Sequence, residues 1–163
     1  MEMANLIFCL TILSACYTAG VSCCSVGWEA HGDSCYHFSH DSETWTGAWD
    51  FCRILKGKLV EINSPQENIY LESQAKRLNK TFWIGLTDIL QDGTFVWMDS
   101  STPLTSSGFS DWAPGEPNNF VQGEESCVAL YQPLGFRWTD APCNFASPHF
   151  ICEKDNPSTQ PVG

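Results

Sequence analysis

Thr81-Phe82-Trp83-Ile84-Gly85-Leu86 is a run of β-branched, aromatic and aliphatic side chains with one glycine, and it reads as a strand. Two helical patterns precede it. Trp45, Trp49, Cys52 and Leu55 recur at i, i+4, i+7 and about i+10, which predicts a helix over 44–56 with one buried face. Lys58 to Ile62 reads as a short strand. Ser64-Pro65-Gln66-Glu67 then opens a second helix, running to about Leu78. Ser64 caps it, Pro65 sits where a missing N–H costs nothing, and Glu67 completes a capping box. After the central run the pattern turns to short strands at Thr94–Met98, Ser126–Tyr131, Phe136–Thr139 and His149–Cys152. Between Asp99 and Glu125 lies a stretch dense in Ser, Pro, Gly and Asn with little periodicity, the mark of a long loop that is either functional or disordered. Helices first and strands after predict an α+β domain. No internal repeat is present, and residues 154–163 read as a flexible tail.

Composition narrows the class of ligand. Eight Lys+Arg stand against nineteen Asp+Glu in 163 residues, a net charge of −11. Nucleic acid is thereby excluded as a partner, since affinity for it comes chiefly from cations neutralising phosphates. A cation is the more natural ligand. With 43% apolar residues and seven tryptophans the chain can build a core.

Leu6 to Ala15 is mostly apolar, too short to span a bilayer and the right length for a secretory h-region. Residues 1–23 therefore read as a signal peptide, cut between about 18 and 23, and the protein as secreted. Two features depart from the rule. The n-region carries Glu2 and no Lys or Arg, and Leu13-Ser14-Ala15-Cys16 resembles a lipoprotein cleavage box. No second apolar run suits a membrane anchor.

Of nine cysteines, removal of the leader takes Cys9 and Cys16 and leaves seven, an odd number, so either cleavage falls after Cys23 or one thiol is spare. An exported chain with three pairs reads as disulfide-stapled. No Cys-x-x-Cys occurs, so structural zinc is disfavoured. Six paired cysteines alone allow fifteen connectivities. His31, His37, His40 and His149 make no zinc motif, and neither a Gly-x-Ser-x-Gly elbow nor a phosphate-binding glycine loop is present. The carboxylates at 116, 125 and 140 are weighed as a glycosidase pair and set aside for ion binding. Trp28, Trp83, Trp97, Trp112 and Trp138 read as core and loop anchors rather than a stacking platform for sugar. Asn79-Lys80-Thr81 is a glycosylation sequon, whereas Asn156-Pro157-Ser158 is excluded by its proline.

Trp83-Ile84-Gly85-Leu86, Glu116-Pro117-Asn118, Trp138-Thr139-Asp140 and the order of Cys52, Cys127, Cys143 and Cys152 resemble the C-type lectin domain, from roughly Cys24 to Glu153. The resemblance implies two helices, small antiparallel sheets and a long binding-loop region. It implies the disulfides Cys24–Cys35, Cys52–Cys152 and Cys127–Cys143, with Cys23 left over. It carries Glu116, Asn118, Glu125 and Asp140 onto one calcium (Ca2+) site, with Glu124 a substitute for Glu125 and with the peptide bond before Pro117 cis. Oxygen ligands of this kind are what calcium takes.

In the family two neighbouring sugar hydroxyls complete the ion's shell while the ligand side chains accept or donate hydrogen bonds to them. Glu116, Pro117, Asn118, Glu125, Thr139 and Asp140 are the implied sugar-binding residues. Glu-Pro-Asn goes with the equatorial hydroxyls of mannose, N-acetylglucosamine and, equivalently, fucose, so mannose-type glycans are the implied partner. Thr139 departs from the family's Asn, which predicts weaker calcium and sugar binding than the family norm. Asp88, Asp92 and Asn119 form an implied auxiliary ion site. The rival reading is a calcium-independent protein-binding or mineral-associated member of the fold. A single sugar contact of ~1 mM is worth only ~4 kcal/mol, so several sites must act together. Cys23 is the candidate link for a homodimer.

Overall fold

The computed structural model describes residues 24–105, 107–119 and 125–159. The expected signal peptide with its cleavage sites, Cys9, Cys16, Cys23, Glu124 and residues 160–163 lie outside the described residues. The chain divides into two units, one of Met1–His37 with Lys154–Gly163 and the other of Phe38–Glu153.

In the larger unit, α1 (Trp45–Ile54) starts where the Thr44 hydroxyl accepts the Gly47 N–H at 3.2 Å. Trp45, Ala48 and Cys52 are its buried face. α2 (Pro65–Leu78) has Ser64 as its cap and ends at Asn79 in the left-handed region. The Ser64 hydroxyl accepts the Glu67 N–H at 3.2 Å, but the Glu67 carboxylate reaches Asn63 N–H, at 3.0 Å, one residue before the cap. The box is thus closed one position early.

β4 (Phe82–Thr87) is buried along its whole length and is the hub of the sheet. β5 (Val96–Trp97) and β7 (Cys127–Tyr131) pair with it antiparallel, and β9 (His149–Asp155) pairs parallel through Phe82 and Trp83. β8 (Arg137–Ala141) extends β7, β6 (Thr102–Pro103) extends β5, and β3 (Lys58–Leu59) lies against β9. Gly85 is required by close approach, since a Cβ there would meet the Leu59 carbonyl oxygen at 2.9 Å. β3 is shorter than the sequence predicts because residues beyond Leu59 leave the ladder. Val60 N–H still bonds to Ile151 O at 2.9 Å, and Val60 and Ile62 are buried.

Tryptophans anchor this core with their indole N–H groups satisfied. Trp45 donates to Ile84 O at 2.8 Å, Trp83 to Glu43 O at 2.9 Å and Trp138 to Asn68 Oδ1 at 2.9 Å. Cys52–Cys152 and Cys127–Cys143 are both formed here.

In the smaller unit, β1 (Glu29–His31) and β2, which begins at Ser34 and runs to Phe38, form an antiparallel hairpin closed by Cys24–Cys35. Lys154 Nζ sits 4.0 Å from the centre of the Trp28 ring. Residues 154–159 correct the expected flexible tail. β9 continues to Asp155, and a turn follows in which Asn156 Oδ1 accepts from Ser158 N–H at 3.2 Å while Asn156 N–H bonds to Asp33 O at 2.8 Å. An Asx-type turn of this kind supplies the backbone partners a frayed end would lack.

Candidate functional site

Trp138 governs where the long loop returns. Its N–H bonds to Asp111 O at 3.0 Å and its carbonyl accepts Ala113 N–H at 2.8 Å, a bridge that fastens 111–113 alongside β8. The rings of Trp97, Phe109 and Trp112 meet Trp138 edge-on, with centroids 5.8, 5.8 and 5.9 Å away. From that anchor the chain passes Gly115, at φ 92, into a cis Glu116–Pro117 bond, as the resemblance implied.

Three of the implied ligands then meet. The Asn118 amide donates to Glu116 Oε1 and Oε2 at 2.8 and 2.9 Å. Asp140, 4% exposed, accepts the N–H groups of Asn118 and Asn119 at 3.0 and 2.8 Å. Burial, then a hydrogen bond and repulsion from Asp140, push the Glu116 carboxyl up to about 7, against the opposing bonds from Thr139 and Asn118. The two carboxyls repel each other, and a cation between them relieves that repulsion. Thr139, 6% exposed, keeps its hydroxyl on Glu116 and on its neighbour's carbonyl, Asp140 O, at 3.3 Å.

Glu116, Asn118, Glu125, Thr139 and Asp140 all line one cavity of about 400 Å³. Among the described residues no three His, Cys, Asp or Glu side chains cluster closely enough to hold an ion by themselves. A set of two neighbouring carboxyls and an amide, with Glu125 in the lining of the same cavity, is nonetheless the hard-oxygen chemistry that calcium takes. The residues fit that ion.

The implied auxiliary residues are only partly brought together. Asn119 Nδ2 donates to Asp92 Oδ1 at 2.9 Å. Asp88, 3% exposed, folds back on its own loop, where Oδ2 accepts Gly93 N–H at 2.8 Å and Oδ1 is buried without a partner. A buried carboxylate oxygen left unpaired is costly and marks a place for a cation or water.

A second cleft, of about 420 Å³, runs beside α2 between Ile69 and Arg137, but its charges are already matched. Arg137 pairs with Asp111, and Lys76 with Glu72 at 2.7 Å. Asn68 is the residue that sequence reasoning missed. Its amide donates to Glu72 and Asp111 at 3.1 and 3.0 Å while its oxygen holds Trp138, and a lone Asn on a helix gives no signal of this.

Comparison with known proteins identifies the architecture. The lectin C-type domain model matches residues 41–154. The chain belongs to the C-type lectin domain family. It is 37% identical over 131 residues to C-type lectin domain family 4 member M of Hylobates lar, covering 80% of this chain and 31% of that protein. Among solved structures it resembles the cow C-type carbohydrate-recognition domain of CD23, studied in the presence of a GlcNAc2Man3 oligosaccharide, with TM-score 0.73 and 35% identity over 83% of this chain and 98% of that one. It also resembles a calcium-independent type II antifreeze protein, with TM-score 0.71 and 28% identity over 83% and 97% of the two chains. The chain spans 31% to 40% of the length of the first curated relatives it matches. No described helix of this C-type lectin domain is long and apolar enough to cross a membrane.

Proposed function

We propose that this C-type lectin domain is a secreted, non-catalytic binding module that takes up calcium and, through it, mannose-type glycans. One observation carries the reading. Glu116 and Asp140 hold two carboxyls together with Asn118 at the wall of a single open cavity, and their mutual repulsion is relieved by a divalent cation. Calcium, when bound, supplies open coordination positions for vicinal hydroxyls. Glu116 and Glu125 then accept hydroxyl protons, the Asn118 amide donates to an oxygen lone pair, and Asp140 stays fixed by two backbone N–H groups. The order of acceptor and donor across Pro117 selects equatorial pairs. Asp92 and Asn119 with the unpaired oxygen of Asp88 support a second, weaker ion site.

A second reading is favoured by Thr139, whose short hydroxyl is committed to Glu116 and Asp140 O, and by likeness to the calcium-independent antifreeze protein. It is a calcium-independent protein-binding or mineral-associated module. Affinity chromatography separates the two. Retention on mannose resin in calcium, release by chelator and passage through galactose resin support the lectin reading; indifference to calcium and mannose supports the second.

A further inference from the structure

Asn79 and Thr81, the outer residues of the Asn79-Lys80-Thr81 sequon, are both held by one residue of another element. Gln132 opens the 3-10 turn Gln132–Leu134 between β7 and β8. Its side-chain amide donates to Asn79 Oδ1 at 3.0 Å, and its backbone N–H donates to Thr81 Oγ1 at 3.1 Å. Asn79 follows the last turn of α2 in the left-handed region, at φ 55, and its own N–H closes the helix on Lys76 O at 3.2 Å. That cap accounts for the backbone. The side chain is exposed, and Gln132 fixes the plane of its amide. Lys80, Thr81 and Gln132 also line a cleft of about 230 Å³, to which Tyr131 and Pro133 contribute apolar surface and Ser147 a hydroxyl.

We propose that Asn79 carries an N-linked glycan whose first N-acetylglucosamine folds back into this cleft, against Tyr131 and Pro133. The inference rests on the export of the chain proposed above and not on its binding of calcium or sugar. During export Asn79 Nδ2 loses a proton and bonds to C1 of the sugar, and the diphosphate of a lipid-linked oligosaccharide donor leaves with the electron pair of the broken C1–O bond. The product is a secondary amide and takes the trans form, as a peptide bond does. C1 then lies trans to Cβ, on the same side of the amide as Oδ1. Oδ1 is the atom that meets Gln132, so the sugar begins beside a residue of the cleft instead of leading away from the fold. A pyranose ring has an apolar face and a polar rim. Tyr131 and Pro133 offer apolar surface to the face, while Lys80 and Ser147 carry donors for the rim. The covalent tether supplies the local concentration that a free monosaccharide lacks.

The test uses the full chain, from Met1, expressed in cultured eukaryotic cells on isotope-labelled glucose and trimmed by an endoglycosidase to the first sugar. Peptide mapping is expected to find Asn79 occupied, and Asn79→Gln to remove the carbohydrate mass. NMR of the trimmed protein is expected to show cross-peaks from the sugar to Tyr131 and Pro133, with the protons over the Tyr131 ring shifted upfield. Tyr131→Leu is expected to abolish that shift. Gln132→Ala leaves the sequon intact, and it is expected to keep the sugar attached while lowering the equilibrium constant for seating about fivefold, the worth of one neutral hydrogen bond. Protein in the medium with Asn79 unmodified overturns the site and leaves the secreted reading standing. Protein retained in the cell without carbohydrate removes that reading and this inference with it. A sugar on Asn79 without cross-peaks to Tyr131 or Pro133 overturns the seat, and cross-peaks undiminished by Gln132→Ala overturn Gln132 as the residue that directs the sugar there.

Discussion

Thr139 lines the site with Glu116, Asn118 and Asp140, and its hydroxyl is shorter than the amide it replaces in the family. Its hydroxyl is tied to Glu116 and to Asp140 O. Thr139→Asn is expected to tighten calcium and mannose binding about tenfold, the worth of one hydrogen bond to a charged group, as read by calorimetry. Unchanged affinities contradict it. Glu116 makes the second prediction at this scale. Its carboxyl is raised to about 7 in the metal-free fold, above the ordinary 4.5. The stabilising contribution of this group is therefore complete below about 4.5 and is lost as pH rises through about 7. In chelator the melting temperature is expected to fall between pH 5 and 8 by this route, with Glu116→Gln flattening the slope. Calcium affinity should rise over the same window, because the ion displaces the Glu116 proton. Glu116, Asn118 and Asp140 were legible in the sequence through the resemblance of the Glu-Pro-Asn and Trp-Thr-Asp motifs to those of the family. Asn68 was not legible, because its role is set by residues 43 and 70 positions away.

At the scale of elements, β3 and β9 are joined by charge as well as by ladder. Lys58 lies 2.9 Å from Glu61 and 3.8 Å from Glu153, with side chains 4% and 11% exposed for the two acids. Burial works against the charge on Lys58, but the attraction of Glu61, Glu153 and Asp99 outweighs it and raises its pKa. Lys58→Met removes the cation between two buried carboxylates. The expected loss is about 2 kcal/mol in urea unfolding, below the ~3–5 of a fully buried pair because the lysine meets water. A neutral result contradicts this account. Both helices were readable because their caps and apolar spacing are local. The lengths of β3 and β9 were not, because pairing with Cys152, Glu153 and β4 decides them. β6 was hidden in the irregular loop for the same reason, its partner being β5.

Across the whole molecule, two disulfides hold long irregular segments to a sheet of short strands. Cys127–Cys143 closes a separation of 16 residues that carries Thr139 and Asp140, and Cys52–Cys152 closes one of 100. Replacing the first pair by serine is expected to cost about 3 kcal/mol by loop-closure entropy and to weaken calcium binding, while the Cys52–Cys152 pair holds the remaining fold together. Calorimetric unfolding beside a calcium titration checks both; a variant that loses stability but binds calcium as before contradicts the link between staple and site. The connectivity of the three bridges came from family resemblance, since spacing alone left fifteen possibilities. The central claim remains that Glu116, Asn118, Glu125 and Asp140 hold a divalent cation. Calcium titration of the metal-free, correctly oxidised chain by calorimetry tests it most directly: the account predicts saturable binding that Asp140→Asn abolishes, and no heat of binding, or heat unaltered by that variant, contradicts it.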